Sequence, residues 1–528
     1  MRNTFTLLML LALVSATTGL RAQEDGRYVE PQFTVMPFTS DTFGTNFSVL
    51  TGSPVQDALL VDVYMPEGDT VTNRPVVAIF PTGNFLPAYI NQSPYGTRRD
   101  SANVYLAEQL AARGFVAMVA DYRQGWLPTA TTLERRTETL LQAAYRGSQD
   151  AHALARYLRR SVAENNNPYG IDGDRITFWG LGTGGYVALT HAFLDTITDL
   201  ETNDQFFNAD GILLVNEARD GDVEGTRAGQ LNLVNNPGYD SDVALTVNAG
   251  GAIGDTNWII TGNNNTSAVI GMHRVEDPFA PFNVGTVIVP TTGNAVVSGV
   301  GGSHAVVRVA NRVGINDELA AANNTDLSDM FSDLSEDLNE LNAEYQDMML
   351  DENFPLSYNN LFPFVGTGGQ FAYADETTAR AIIGQINASG QTAELDADFI
   401  INTERGLNSN FDNPAGAQAV MDSMIAFFLP RAFIALDLMS TSVDFVTPES
   451  VNFELFPNPT TTGFTIQVAD ANRIRQIDVY DMRGSRVAQV RGINQSTYTF
   501  DRGNLANGAY IVQLRFDEGV TARKVMLR

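Results

Sequence analysis

The chain has no cysteine. That single absence removes disulfides, thiolate metal sites, cysteine nucleophiles and a lipidated amino-terminal cysteine. Long apolar runs are scarce too: after Phe5–Val14, no stretch approaches the roughly 20 residues that a membrane-crossing helix needs. Basic residues are outnumbered, 33 Lys and Arg against 61 Asp and Glu, giving a formal charge of −28. A phosphate backbone would be repelled by such a chain, so nucleic acid is not an expected partner, and solubility outside the cell is the plainer reading. There are only 4 histidines, no pair of which has metal-ligand spacing. No internal repeat is present.

What remains is ample. With 528 residues, 44% of them hydrophobic, the chain can bury one large core and a smaller one. Its first residues are Met1-Arg2, the apolar run, and small residues ending Leu20-Arg21-Ala22. This is the layout of a cleaved secretory signal covering residues 1–22. The mature protein is therefore expected to be soluble or surface-attached, with no transmembrane segment.

From Leu59 to Asp277 short β-rich runs alternate with helical stretches, which predicts an α/β fold with a mostly parallel sheet. LLVDVYM, RPVVAIF, FVAMVADYR, RITFWG, VALTVN, SAVIGM and NAVVSGV read as strands; most are near-continuous apolar runs, as buried parallel strands are. Helical periodicity marks Ser101–Arg113 and Tyr145–Arg160. Two stretches, 201–242 and 310–413, read as insertions, the second as a lid. Within it, apolar residues from Leu327 to Met348 recur at steps of four and three over Asp317–Glu352, predicting an amphipathic helix with an acidic, solvated outer face. A last core helix starts at Asn413-Pro414 and is expected to end at Pro430. The large domain thus spans 23–440 and a polar linker 441–450.

Residues 451–528 change pattern to short alternating strands with turn signals at Pro457-Asn458-Pro459 and Asn507-Gly508, predicting a small all-β sandwich. The strands alone fit an adhesive sandwich equally well. The ordered motifs FELFPNPTTTGF (Phe453–Phe464), IDVYDMRGSRV (Ile477–Val487), NLANGAYIVQL (Asn504–Leu514) and KVMLR (Lys524–Arg528) resemble the C-terminal sorting domain of type IX secretion cargo in Bacteroidota. Pro457, Asn458, Pro459, Gly508, Tyr510, Lys524 and Arg528 carry that match. The resemblance implies contact with the type IX secretion machinery and export across both membranes, to the cell surface or beyond.

The richest chemistry lies in AYRGSQDAHALARYLRRSVAENNNPYGIDGDRITFWGLGTGGYVALTHA, Ala144–Ala192. It resembles the carboxylesterase and lipase branch of the α/β-hydrolases, over about Leu59 to Ala435. In that family a G-x-S-x-G elbow puts a serine hydroxyl on a sharp strand-to-helix turn. Here the elbow reads Gly180-Leu181-Gly182-Thr183-Gly184, so the nucleophile position holds Gly182. Thr183 is the substitute hydroxyl, but at the start of the following helix it is expected to point away from the elbow tip and to cap it.

The resemblance places the acid at Asp277, after SAVIGM, and the general base at His304, after NAVVSGV, in the family's order. Read singly, Asp277 before Pro278 also suits a turn, and His304 a backbone-bonded loop residue. His273 is a reserve base; His152 and His191 lie on helices as packing residues. The oxyanion loop is Phe80-Pro81-Thr82-Gly83-Asn84-Phe85, where main-chain donors at Gly83 and Asn84 are the candidates. GLGTGG has the look of a dinucleotide fingerprint without its strand context or ribose-binding acid, so no cofactor is expected. Two functions follow: a secreted protein disabled at its nucleophile that binds an unknown small molecule or surface ligand, or an active secreted ester hydrolase with another nucleophile.

Overall fold

A computed structural model describes residues 27–50, 52–261, 267–289, 292–323, 360–364, 375–390, 394–438, 448, 450–469, 472–481, 486–516 and 519–528. The signal segment, the apolar positions Leu327 to Met348 and most of the linker lie outside them. The chain divides into two compact units, one spanning Gly26–Leu438 and the other centred on Met439–Arg528.

The strands of the first unit are β1 (Thr39–Ser48), β2 (Val55–Tyr64), β3 (Arg74–Phe80), β4 (Val116–Ala120), β5 (Ile171–Leu181), β6 (Leu245–Ala249), β7 (Ala252–Ile253), β8 (Ala268–Arg274), β9 (Val284–Ile288), β10 (Ala295–Gly302) and β11 (Leu361–Phe364). Eight of them form one sheet in the order β1-β2-β4-β3-β5-β6-β8-β11. The β1–β2 and β2–β4 pairings are antiparallel and all the others parallel. This is the α/β-hydrolase fold. β3, β4 and β6 are buried at every position, which explains why their sequences are continuous apolar runs rather than alternating ones.

Helices cover both faces. On one side α2 (Leu133–Glu164) and α3 (Thr183–Phe193) pack against Val76, Phe80 and Phe178. On the other, α1 (Ser101–Ala112) and α7 (Pro414–Ala435) enclose Phe115, Trp179 and Met272. Burying a phenylalanine fully, as at Phe80, Phe115 and Phe178, contributes roughly 1.5–3 kcal/mol each. α2 runs far beyond the predicted Tyr145–Arg160; its start is capped by Thr132, whose hydroxyl accepts from the Arg135 N–H. Inside the α2 layer Asp150 accepts from the Arg123 main-chain N–H at 2.7 Å and from its Nε at 2.9 Å. Both side chains are nearly inaccessible, and separating such a pair costs about 3–5 kcal/mol.

Three expectations need correction. The strand β10, read as part of the main sheet, instead joins a separate three-stranded sheet, β7-β10-β9; its exposed Ala295, Ser298 and Gly299 show a half-buried strand, not a doubly covered one. The eighth strand of the main sheet is β11, which lies within 310–413, so that span is not wholly an insertion. Pro430 does not end α7 but lies inside it. Among the described residues α7 is the one helix long and apolar enough to cross a membrane, and it is packed into the core, with Phe428 against Trp179 and Phe115. The described part of 310–413 also holds a 3-10 turn at Asp317–Asn323 and two helices, α5 (Glu376–Ser389) and α6 (Ala397–Leu407), which close a small core with Phe411.

The second unit is a β-sandwich of a three-stranded sheet, β12 (Glu454–Phe456), β13 (Gly463–Gln467) and β16 (Thr497–Asp501), and a four-stranded sheet, β14 (Ile474–Asp481), β15 (Arg486–Gln495), β17 (Gly508–Phe516) and β18 (Gly519–Leu527). Phe453, Phe464, Ile477, Val479, Val512 and Leu514 fill its core.

Candidate functional site

β3, β5 and β6 lie side by side, with Phe80 opposite Gly180 and Gly180 opposite Asn248. Their carboxyl ends therefore deliver the oxyanion loop, the elbow and the Asn248 turn to one edge of the sheet, where ligands bind in open α/β sheets. At the elbow Gly182 has φ 53° and ψ −116°. Few L-residues tolerate that conformation, and a side chain there stores about 1–3 kcal/mol of strain. The flanking glycines serve close approach: a Cβ on Gly180 would meet the Gly184 carbonyl oxygen, and one on Gly184 the Phe80 carbonyl oxygen. The turn of an elbow is intact, and its tip carries no side chain.

Thr183 begins α3, where a main-chain N–H has no intrahelical acceptor. Its hydroxyl does not cap the helix but lies 3.1 Å from Tyr122 Oη, which in turn donates to the Pro81 carbonyl at 2.6 Å. Tyr122 thus ties elbow to oxyanion loop. In that loop Asn84 and Phe85 are both left-handed, at φ 55° and 52°. For a bulky residue this is unusual, and it is held by packing: the buried Phe85 ring meets Tyr122 and Tyr186 edge to face. Among the described residues no acceptor takes the N–H of Gly83 or Asn84, while the Asn84 side chain donates to Asn91 at 2.9 Å.

Asp277 follows β8 and is almost wholly buried. Its Oδ1 accepts from the N–H groups of Phe279 and Ala280, at 2.7 and 3.0 Å, so it does start a turn. Its Oδ2 lies 3.7 Å from Nε2 of His273. His273 Nδ1 lies 3.0 Å from the Ser303 hydroxyl and accepts from the Ser303 N–H at 3.3 Å; Ser303 Oγ accepts from Asn248 Nδ2 at 2.9 Å. With Nδ1 accepting, the neutral imidazole carries its proton on Nε2, facing Asp277. Burial lowers the His273 pKa against the pull of Asp277. The result is a buried polar chain from His273 through Ser303 to Asn248, with the Asp277 carboxylate beside Nε2 but beyond hydrogen-bond distance of it.

The structure does not join Asp277 to His304 by a hydrogen bond. His304 sits at the start of α4 (Ser303–Val313), its ring stacked on Phe282 with centroids 5.4 Å apart. Burial first, then Arg308, lowers its pKa to about 4. The rings of His152 and His191 lie 4.1 Å apart, tilted by 40°, bonded to the Ser241 hydroxyl and carbonyl respectively. Burial lowers both pKa values, that of His191 to about 3. All four histidines are thus interior. No group of three metal-ligating side chains occurs among the described residues. Sequence reasoning missed Tyr122, Ser303 and Asn248 because their roles arise from contacts across 61, 30 and 55 residues of chain, which no local pattern signals.

In the second unit, the conspicuous contact is made by Asn458. Its side chain donates to the Lys524 carbonyl at 2.8 Å and accepts from the Met526 N–H at 3.0 Å, and Thr460 exchanges main-chain bonds with Met526 and Arg528. The Pro457-Asn458-Pro459 turn therefore clasps the final strand. Residues 454–528 match the family model described as the secretion system C-terminal sorting domain. This unit is a sorting domain. The sorting domain directs export by type IX secretion, to the surface or outside, and its partner is that machinery. Tyr510 Oη, one of its motif residues, donates to the Ala506 carbonyl at 2.9 Å across the Gly508 turn, and the Arg528 carbonyl accepts from Arg502 at 2.7 Å.

No curated protein matches the chain. Among solved structures, it is similar to esterase 2 of Thermogutta terrifontis, a Planctomycetes species: the native form at 16% identity and TM-score 0.24, covering 46% of this chain and 73% of that one. The propionate-bound form gives 16%, 0.25, 46% and 74%, and the form phosphonylated by sarin 16%, 0.26, 47% and 75%. The strand order and directions of the sheet, rather than these superpositions, carry the fold.

Proposed function

We propose that the mature protein is an exported α/β-hydrolase-fold protein without acyl-transfer activity, which holds a small molecule or a surface partner at the former active site. The proposal includes a Bacteroidota source and removal of residues 1–22. The observation that carries it is Gly182: an elbow with the turn of a nucleophile site and no nucleophile on it. Two further features support it. The Asp277 carboxylate lies beside the buried His273, and all four histidines are interior, leaving no exposed imidazole to act as base.

A second reading, an active ester hydrolase with another nucleophile, draws on the unpaired N–H groups of Gly83 and Asn84 and on the Thr183 hydroxyl. Against it, that hydroxyl is engaged by Tyr122, whose own pKa burial raises, so Tyr122 is no base at neutral pH.

Hydrolysis of short-chain p-nitrophenyl esters separates the readings. The wild type is expected to match buffer. Gly182→Ser is expected to gain less than about a hundredfold, because a missing general base withholds roughly 10²–10⁴ in rate. Wild-type turnover near a kcat/KM of about 10⁴ M⁻¹ s⁻¹, within the ordinary enzyme range, would establish the second reading instead.

A further inference from the structure

The positive charge of this chain is of one kind. Of its 33 basic residues, all are arginine except Lys524, so the α/β-hydrolase unit contains no lysine. Arginine supplies the cation of the ion pairs among the described residues, as at Asp62, Asp150, Asp220 and Asp412, apart from the approach of His273 to Asp277. Part of the carboxylate surface has no such partner. Asp57, Asp174, Glu201, Asp204 and Asp210 are exposed, and among the described residues no cation pairs with any of them. The surplus they belong to is the net charge of −28.

Two physical consequences have the same sign. Unbalanced like charge destabilises a compact state by self-repulsion, and the range of that repulsion shrinks from about 8 Å at physiological ionic strength to about 3 Å at 1 M salt. Concentrated salting-out electrolytes also strengthen apolar association, which precipitates surfaces rich in exposed methylenes. A lysine carries four of them below its charge, an aspartate one. A lysine-free, carboxylate-rich surface is therefore suited to brine and poorly suited to dilute buffer. The opposing effect, screening of surface ion pairs such as Arg405 with Asp412, is worth only about 0–1 kcal/mol per pair, and buried pairs such as Arg123 with Asp150 are screened much less.

We propose that the exported protein is built to work in a concentrated salt medium, with monovalent cations at molar level as the partner its acidic surface requires for full stability. Thermal unfolding of the full chain in sodium chloride from about 0.1 M to about 3 M tests this. The comparison variant carries lysine at Asp57, Asp174, Glu201, Asp204 and Asp210; five reversals of two charges each bring −28 to −18. The wild-type melting temperature is expected to climb by about 10 °C or more between about 0.1 M and 2 M, well past the point where a few screened pairs matter. The variant should melt higher than the wild type in dilute salt, climb less than half as far, and precipitate first in the strongest brine. If the lysine variant does not fold, asparagine at the same five positions replaces it. A wild-type curve that is flat or falling above about 0.2 M overturns the proposal. Parallel curves for wild type and variant overturn it too, since the response would then be independent of surface charge.

Discussion

At Gly182 the backbone adopts φ 53° and ψ −116°, a conformation in which a serine of an active elbow would sit under strain. Glycine takes that conformation without the steric cost a side chain would bring. Gly182→Ala should therefore lower the unfolding free energy of the α/β-hydrolase unit by about 1–3 kcal/mol, measured by urea titration; no loss would mean the turn relaxes without cost. The same position was legible in the sequence, because the spacing of Gly180, Gly182 and Gly184 after an apolar strand has few other uses. Asp277 was legible in position but not in partner. His304 was read as the base following a strand that belongs to another sheet, and His273, only four residues before Asp277, was open in the sequence as a reserve.

At the scale of elements, the buried strands announced themselves as apolar runs, whereas β11 did not. Its four residues, Leu361–Phe364, include a proline, which sits at the edge of the sheet where a missing donor is tolerated. Pro430 misled for a related reason: proline usually breaks a helix, yet here the surrounding α7 is held by core packing on the Phe427 and Phe428 side. In the sorting domain, the distance in sequence between Pro457-Asn458-Pro459 and Lys524–Arg528 hides a direct bond between them. Asn458→Ala removes two hydrogen bonds to β18, each worth about 0.5–1.5 kcal/mol. Amide exchange at Met526 and Arg528 should quicken about tenfold while β14 stays protected; unchanged exchange would show that the clasp does not hold the strand.

Over the whole molecule, acid stability is a contest between two sets of buried groups. The four histidines have lowered folded pKa values, so the stability they confer is present above the unfolded value near 6.5 and is lost as pH falls toward the folded values. Burial instead raises Asp100, Asp121 and Asp242 to about 6 and Glu404 to about 7. Those carboxyls contribute stability below about pH 4, lost as pH rises through 6 to 7. The two sets oppose each other between about pH 4 and 6.5, which predicts a shallow profile for the wild type. His191→Gln removes one group from the first set. Its stability deficit against the wild type at about pH 7.5 should shrink at about pH 5, by urea unfolding at both; a deficit that grows on acidification would contradict the buried neutral imidazole.

The central claim, that the elbow bears no nucleophile, is tested most directly by intact-mass measurement of the mature protein after incubation with an alkyl fluorophosphonate. The account predicts an unchanged mass. A single stoichiometric adduct that maps to Thr183, or to any hydroxyl at this edge of the sheet, would contradict it.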